Sequence, residues 1–272
     1  MIIAPSNLEE IMSHHIVAVE NLRFSYPDGT AALNGLSFFI GHGESVAVVG
    51  ANGAGKSTLL QHLNGYLTPQ QGLIRIGDFH LNKATLREVR RTVGMVFQDP
   101  DDQLFMPTVF DDVAFGPLNL GLPAEEVERL VTEALEDVGA LQLKDRPPHH
   151  LSGGEKRAVT IATVLAMNPD ILVMDEPNTG LDPRARRRLI NQLKQFKHTK
   201  IIATHDLDLV LDLCERTIVI HDGKVMADGK TEEIFADRPL LVKSHLEPPL
   251  RMQGCPRCGE KELGSAIVPP SG

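Results

Sequence analysis

Ser45-Val46-Ala47-Val48-Val49-Gly50-Ala51-Asn52-Gly53-Ala54-Gly55-Lys56-Ser57-Thr58 is the stretch on which the fold turns. Val46 to Val49 form an uninterrupted apolar run rich in β-branched residues, as a strand covered on both faces requires. Gly50, Gly53 and Gly55 then permit a tight turn whose backbone N–H groups can approach an anion closely. A helical stretch follows, from Lys56 to residue 63. A strand, a G-x-x-x-x-G-K-[ST] turn and a helix in that order form a phosphate cradle, with the helix adding its positive dipole end. Lys56 is expected to reach β- and γ-phosphates, and the Ser57 hydroxyl to bind Mg²⁺.

The partner of this loop lies far downstream. Ile171-Leu172-Val173-Met174-Asp175-Glu176 is another buried strand, delivering two carboxylates to a C-terminal sheet edge. Asp175 is expected to hold Mg²⁺ through water, and Glu176 to polarise an attacking water as general base. Residues 93–97, 200–204 and 217–220 read as further strands. Residues 16–24 and 33–40, around an Asp28-Gly29 turn, read as an antiparallel pair that comes first. The fold class is therefore α/β: a phosphate-loop NTPase core with a mostly parallel sheet and an N-terminal antiparallel β subdomain.

Strand signals vanish between residues 99 and 167. Val127, Leu130, Val131, Ala134, Leu135 and Val138 share one helix face, and Ala158, Ile161, Ala162, Leu165 and Ala166 repeat the spacing. An α-helical subdomain is inserted here. It carries Leu151-Ser152-Gly153-Gly154-Glu155, in which Ser152 and Glu155 can form a capping box. Gly153 and Gly154 leave bare N–H groups at that helix start, which suits a γ-phosphate. The expected division is an N-terminal extension (1–15), a core (16–98 and 168–235), the helical subdomain (99–167) and a flexible proline-rich tail (236–272).

In a chain of 272 residues, 42% hydrophobic and 23% charged content suit a globular protein, and a net charge of −9 argues against a nucleic-acid partner. Arg184 to Arg188 read as a solvated helix face. No secretory leader is visible in residues 1–10, and no apolar run reaches the about 18 residues of a bilayer span. Three cysteines make no disulfide framework. Cys255-Pro256-Arg257-Cys258 offers half of a zinc site, with His245 as a third donor, but reads as two reduced thiols on the tail. The pairs His14-His15 and His149-His150 read as surface residues.

Taken together, the ordered motifs resemble those of ATP-binding cassette ATPases over residues 16–235. Tyr26 matches the aromatic that stacks on adenine. Gly50, Asn52, Gly53, Ala54, Gly55, Lys56, Ser57 and Thr58 match the Walker A loop, and Gln98 the glutamine that senses Mg²⁺ and nucleotide. Ser152 to Glu155 match the signature, Asp175 and Glu176 the end of Walker B, Gly180-Leu181-Asp182 the D-loop, and His205 the switch histidine. The resemblance implies ATP and Mg²⁺ as ligands and a head-to-tail dimer, each ATP lying between one subunit's phosphate loop and the other's signature. Asp182-Pro183 also reads as a helix cap and first-turn proline. Asn178 departs from the threonine or serine usual at its position.

The segment from Gly94 to Phe105, with Val113 to Pro117 and Leu118 to Leu122, is similar to the ATPase subunits of energy-coupling-factor importers, including cobalt and nickel systems. That likeness implies a membrane coupling subunit contacting the region after Gln98, with Leu104, Phe105 and Met106 as apolar anchors. It also implies a substrate-binding membrane subunit reached indirectly, and a place on the cytoplasmic face of the cell membrane. The intact motifs suit a homodimer and a cobalt or nickel importer. A vitamin importer or a soluble cassette ATPase are the alternatives.

Overall fold

The computed structural model describes residues 15–253. Strands β1 (His15–Ser25) and β2 (Ala31–Gly41) form an antiparallel pair, and β3 (Ser45–Val49) leads into α1 (Lys56–Leu63). After β4 (Gln71–Ile76), β5 (Phe79–His80) and α2 (Leu86–Thr92), strand β6 (Val93–Val96) returns to the core. Helices α3 (Val109–Asn119), α4 (Ala124–Asp137) and α5 (Gly153–Leu165) form the inserted helical layer. The chain then alternates through β7 (Ile171–Asp175), α6 (Pro183–Gln195), β8 (Thr199–Thr204), α7 (Leu207–Leu213) and β9 (Arg216–His221). Strand β10 (Lys224–Lys230), α8 (Thr231–Ala236) and α9 (Arg238–Lys243) follow.

Two sheets result. One is antiparallel in the order β2-β1-β4-β5, and the other runs β10-β9-β3-β8-β7-β6. In the second, β3 pairs in parallel with β8 and β9, and only β10 is antiparallel. The β3 run behaves as its sequence demands. Val46 and Val48 face the core shared with α1 and the antiparallel sheet. Ala47 and Val49 face the second core, beneath the helical layer and α7. Both faces are covered, so alternation is absent and the strand's edge is left to position the loop.

Residues 236–253 correct the expectation of a flexible tail. Leu241 and Leu246 are buried in the second core. The Leu250 and Arg251 N–H groups donate to Asp208 of α7, and the Arg251 guanidinium pairs with Asp208 and Asp212. Two apolar anchors and one arginine are too few to make a periodic pattern. They suffice to dock a short segment. Cys255 and Cys258 lie outside the described residues, as does His14. His245 packs its ring against His221, with centroids 4.9 Å apart.

One packing detail on α1 sets an acid limit. His62 is buried, with Nδ1–H donating to the Thr58 carbonyl at 2.7 Å and its ring edge-on to Phe24, while Nε2 has no partner. Burial pushes its pKa below the ordinary histidine value of 6.5. The unfolded chain therefore binds a proton that the folded chain refuses, and stability falls as pH drops below 6.5. Urea midpoints measured from pH 7.5 to 5 should fall for the wild type. For His62→Met the acid decline should be shallower.

Candidate functional site

The loop between β3 and α1 is shaped by its glycines. Gly53 and Gly55 adopt φ of 80° and 102°. A Cβ on Gly50 would sit 2.3 Å from the Ile220 carbonyl, and one on Gly55 2.5 Å from that of Ala32. Side chains at these two positions would drive the loop off the sheet edge. Lys56 is buried and donates to the Gly50 and Ala51 carbonyls at 2.9 and 3.2 Å. Burial lowers its pKa, against the pull of Glu176 and Asp175.

Tyr26, Asn52, Gly53, Gly55, Lys56, Ser57, Thr58, Gln98, Glu176 and His205 line one cavity of about 380 Å³. The structure thus gathers residues from opposite ends of the chain around the loop. Thr30, Ala31, Ala32 and Thr179 complete the lining and were not singled out from the sequence. Tyr26 is held by its hydroxyl, 2.9 Å from the Thr58 hydroxyl, and by an edge-on contact with Phe24 at 5.1 Å.

Asp175 ends β7 beneath this cavity. It is buried and its Oδ1 has no hydrogen-bond partner, while the nearby Ser57 hydroxyl favours its charged form. Burial raises its pKa. A buried, underused carboxylate oxygen beside a hydroxyl is a donor set for a hard cation, so the residues fit Mg²⁺.

Glu176 follows with φ 45°, a left-handed conformation that costs about 1–3 kcal/mol for a residue of this kind. The surroundings enforce it. Its N–H bonds the Ala203 carbonyl of β8 at 2.8 Å. The Thr204 hydroxyl donates to Oε2 at 2.9 Å, and the His205 N–H and Nδ1–H donate to Oε1 at 3.1 and 2.8 Å. With Nδ1 committed to the carboxylate, His205 leaves Nε2 free on an exposed ring.

The signature residues stand elsewhere. Ser152 caps α5, and the expected capping box is present, with the Ser152 N–H donating to Glu155 at 2.8 Å. Ser152, Gly153, Gly154, Glu155 and Asp182 line a second cavity of about 500 Å³. The two cavities share no lining residue. Asp182 also caps α6, accepting from the Arg184 and Ala185 N–H groups at 2.8 and 2.9 Å. Within one chain the signature does not reach the phosphate loop.

Arg157, which the sequence reading passed over, joins the two regions. It is only 2% exposed and donates to the Phe97 and Gln98 carbonyls. Gln103 adds a second tie, accepting from the Phe97 N–H and donating to Thr160 and Thr163 of α5. These bonds tie the Gln98 loop to the signature helix. Beyond it, Leu104 is buried in the core, which corrects its reading as an exposed anchor. Phe105 is 63% exposed and meets Phe115 edge-on at 5.2 Å, at a groove of about 670 Å³ between α2 and α3.

Comparison with known proteins agrees with this geometry. A family profile described as ABC transporter matches residues 33–179. An ABC transporter ATP-binding protein of Geobacter sulfurreducens is 69% identical over 248 residues, covering 91% of this chain and all of that protein. The chain belongs to the ABC transporter family. The energy-coupling factor transporter ATP-binding protein EcfA of Methanocaldococcus jannaschii is 50% identical, covering 86% of each chain. Among solved structures, cbiO1 of Clostridium perfringens, part of the ABC transporter complex cbiONQ, superposes with a TM-score of 0.75 at 42% identity, covering 85% of this chain and 94% of that one. A dimeric cassette in a post-hydrolysis state, bound to ADP and Pi, gives 0.72 at 29% identity, covering 79% and 98%. Within the family, the protein is an ATP-hydrolysing cassette of the energy-coupling factor kind.

Proposed function

We propose that the protein is the motor subunit of an energy-coupling-factor importer for cobalt or nickel ions, working as a head-to-tail homodimer on the cytoplasmic face of the membrane. The observation that carries the dimer is the separation of the phosphate-loop cavity from the signature cavity within one chain. A second copy, related by a twofold axis, brings each signature over the other's loop and completes two equivalent sites.

In each site Tyr26 stacks on adenine, and the loop N–H groups of Asn52 to Thr58 take the phosphates. Lys56 exchanges its loop carbonyls for the β- and γ-phosphates. Ser57 and Gln98 would hold Mg²⁺, with Asp175 holding it through water, and the ion when bound would neutralise phosphate charge. Glu176 accepts a proton from water as the water oxygen bonds the γ-phosphorus and the bond to the β,γ-bridging oxygen breaks. His205 offers its free Nε2 to the γ-phosphate. The second copy's Gly153 and Gly154 offer that phosphate bare N–H groups, its Ser152 and Glu155 hold the helix start in place through the capping box, and its Asp182 borders the site. ATP closes the dimer, and hydrolysis reopens it.

The membrane coupling subunit docks at the Phe105–Phe115 groove, which adjoins the Gln98 loop and so feels nucleotide. The substrate-binding membrane subunit is engaged through it. No helix among the described residues is long and apolar enough to cross a membrane, which supports a peripheral placement. Cobalt and nickel are favoured over a vitamin because every catalytic motif is intact, as two copies of one ATPase require. In cells lacking the gene, the wild-type chain should restore radiolabelled nickel or cobalt uptake. Phe105→Asp should leave uptake at least tenfold lower, with less membrane subunit co-purifying. Unchanged metal uptake beside lost vitamin uptake would contradict the metal assignment.

A further inference from the structure

Asn178 is the departure from the family pattern that the proposed chemistry leaves unexplained. It follows Glu176 by two residues. Unlike Glu176 and Thr179, it does not line the nucleotide cavity. Its side chain points the other way, with Nδ2 donating to Asp206 Oδ2 at 2.8 Å. Turning the amide over would set oxygen against carboxylate, so the donor must face Asp206. Arg186 of α6 donates to the same oxygen, from Nε at 3.2 Å and Nη2 at 3.0 Å.

Asp206 is the residue after His205, and each of its polar groups is engaged. Its Oδ1 caps α7 by accepting from the Leu209 N–H at 2.8 Å. Its N–H donates to the Thr204 hydroxyl at 3.1 Å, and that hydroxyl donates to Glu176 Oε2 at 2.9 Å. The contacts close a ring. Glu176 leads through Pro177 to Asn178, then across to Asp206, and back through Thr204 and His205 to Glu176. Arg186 ties the ring to α6, the helix capped by Asp182 beside the signature cavity.

We infer that Asn178 is a positioning residue that, together with Arg186, clamps Asp206 and thereby sets His205 against Glu176. A threonine or serine at this position is about one bond shorter than asparagine and cannot make the same direct contact. The clamp is thus a property of this chain's own sequence. It links the switch histidine to the helix that starts at Asp182, so displacement of that helix start is transmitted to His205. The inference rests on the roles proposed above for Glu176 and His205.

The test compares Asn178→Leu, which keeps the volume and loses the donor, with Arg186→Met, which removes the second donor to Asp206 from the neighbouring helix. For Asn178→Leu, kcat for ATP should fall about tenfold with KM within twofold, because the residue stands outside the nucleotide cavity. Arg186→Met should show the same pattern at smaller amplitude. In ¹⁵N-histidine spectra, the His205 Nδ1 signal, assigned by its loss in His205→Ala, should move in both variants. Turnover within twofold of wild type for both, an unmoved His205 signal, or kcat loss accompanied by an equal loss of ATP affinity would overturn the clamp. The underlying reading fails separately. If Glu176→Gln turns over ATP normally, the site assignment is wrong. If that variant is inactive while Asn178→Leu is fully active, only the clamp is wrong.

Discussion

Glu176→Gln binds ATP and stops turning it over, with kcat lower by about 10²–10³-fold, as expected for loss of a general base. The substitution removes little else. A glutamine carbonyl can still accept from the His205 N–H and Nδ1–H, which now meet Oε1 at 3.1 and 2.8 Å. Its amide can turn to the Thr204 hydroxyl that now bonds Oε2. The left-handed backbone at φ 45° is held by the Ala203 carbonyl, a main-chain contact that the variant keeps. The fold should therefore survive while the proton acceptor is lost. With hydrolysis blocked, the ATP-bound pair cannot reopen. Size-exclusion chromatography should show a dimer with ATP and a monomer with ADP. Wild-type turnover in this variant would remove Glu176 from the mechanism.

The candidate site left clearer marks in the sequence than several strands around it, and for a physical reason. Phosphate binding needs glycines where backbone must approach an anion, and Gly50 and Gly55 face carbonyls that no Cβ could accommodate. Such needs leave marks in sequence. So does the capping box at Ser152 and Glu155, because it is local. Strand β4 and the edge strands β5 and β10 left no such mark. Leu73 on β4 and Phe79 on β5 are exposed, and β10 holds no fully buried residue, so none has the clean alternation of a half-buried strand. Arg157 was hidden by its charge. Arginine is ordinarily a surface residue, and only the carbonyls of Phe97 and Gln98, some sixty residues away in sequence, reveal why it is buried. Residues 236–253 were missed for a similar reason, since their docking depends on Asp208 and Asp212 on a distant helix.

The central claim is that a complete site needs two chains, and it has a direct test. Lys56→Ala removes the lysine of the phosphate loop and leaves the signature intact. Gly153→Asp does the reverse, placing a carboxylate where a phosphate should sit. A Cβ at Gly153 meets no atom within 4 Å, so the chain should still fold. Each variant alone should be inactive, because every site in its homodimer lacks one half. In an equal mixture about half the dimers contain both variants, and each of these has one intact site of two. ATP hydrolysis should then reappear at about one quarter of the wild-type rate if the sites act independently. No recovery on mixing, once exchange of subunits has been demonstrated, would contradict a site shared between two copies.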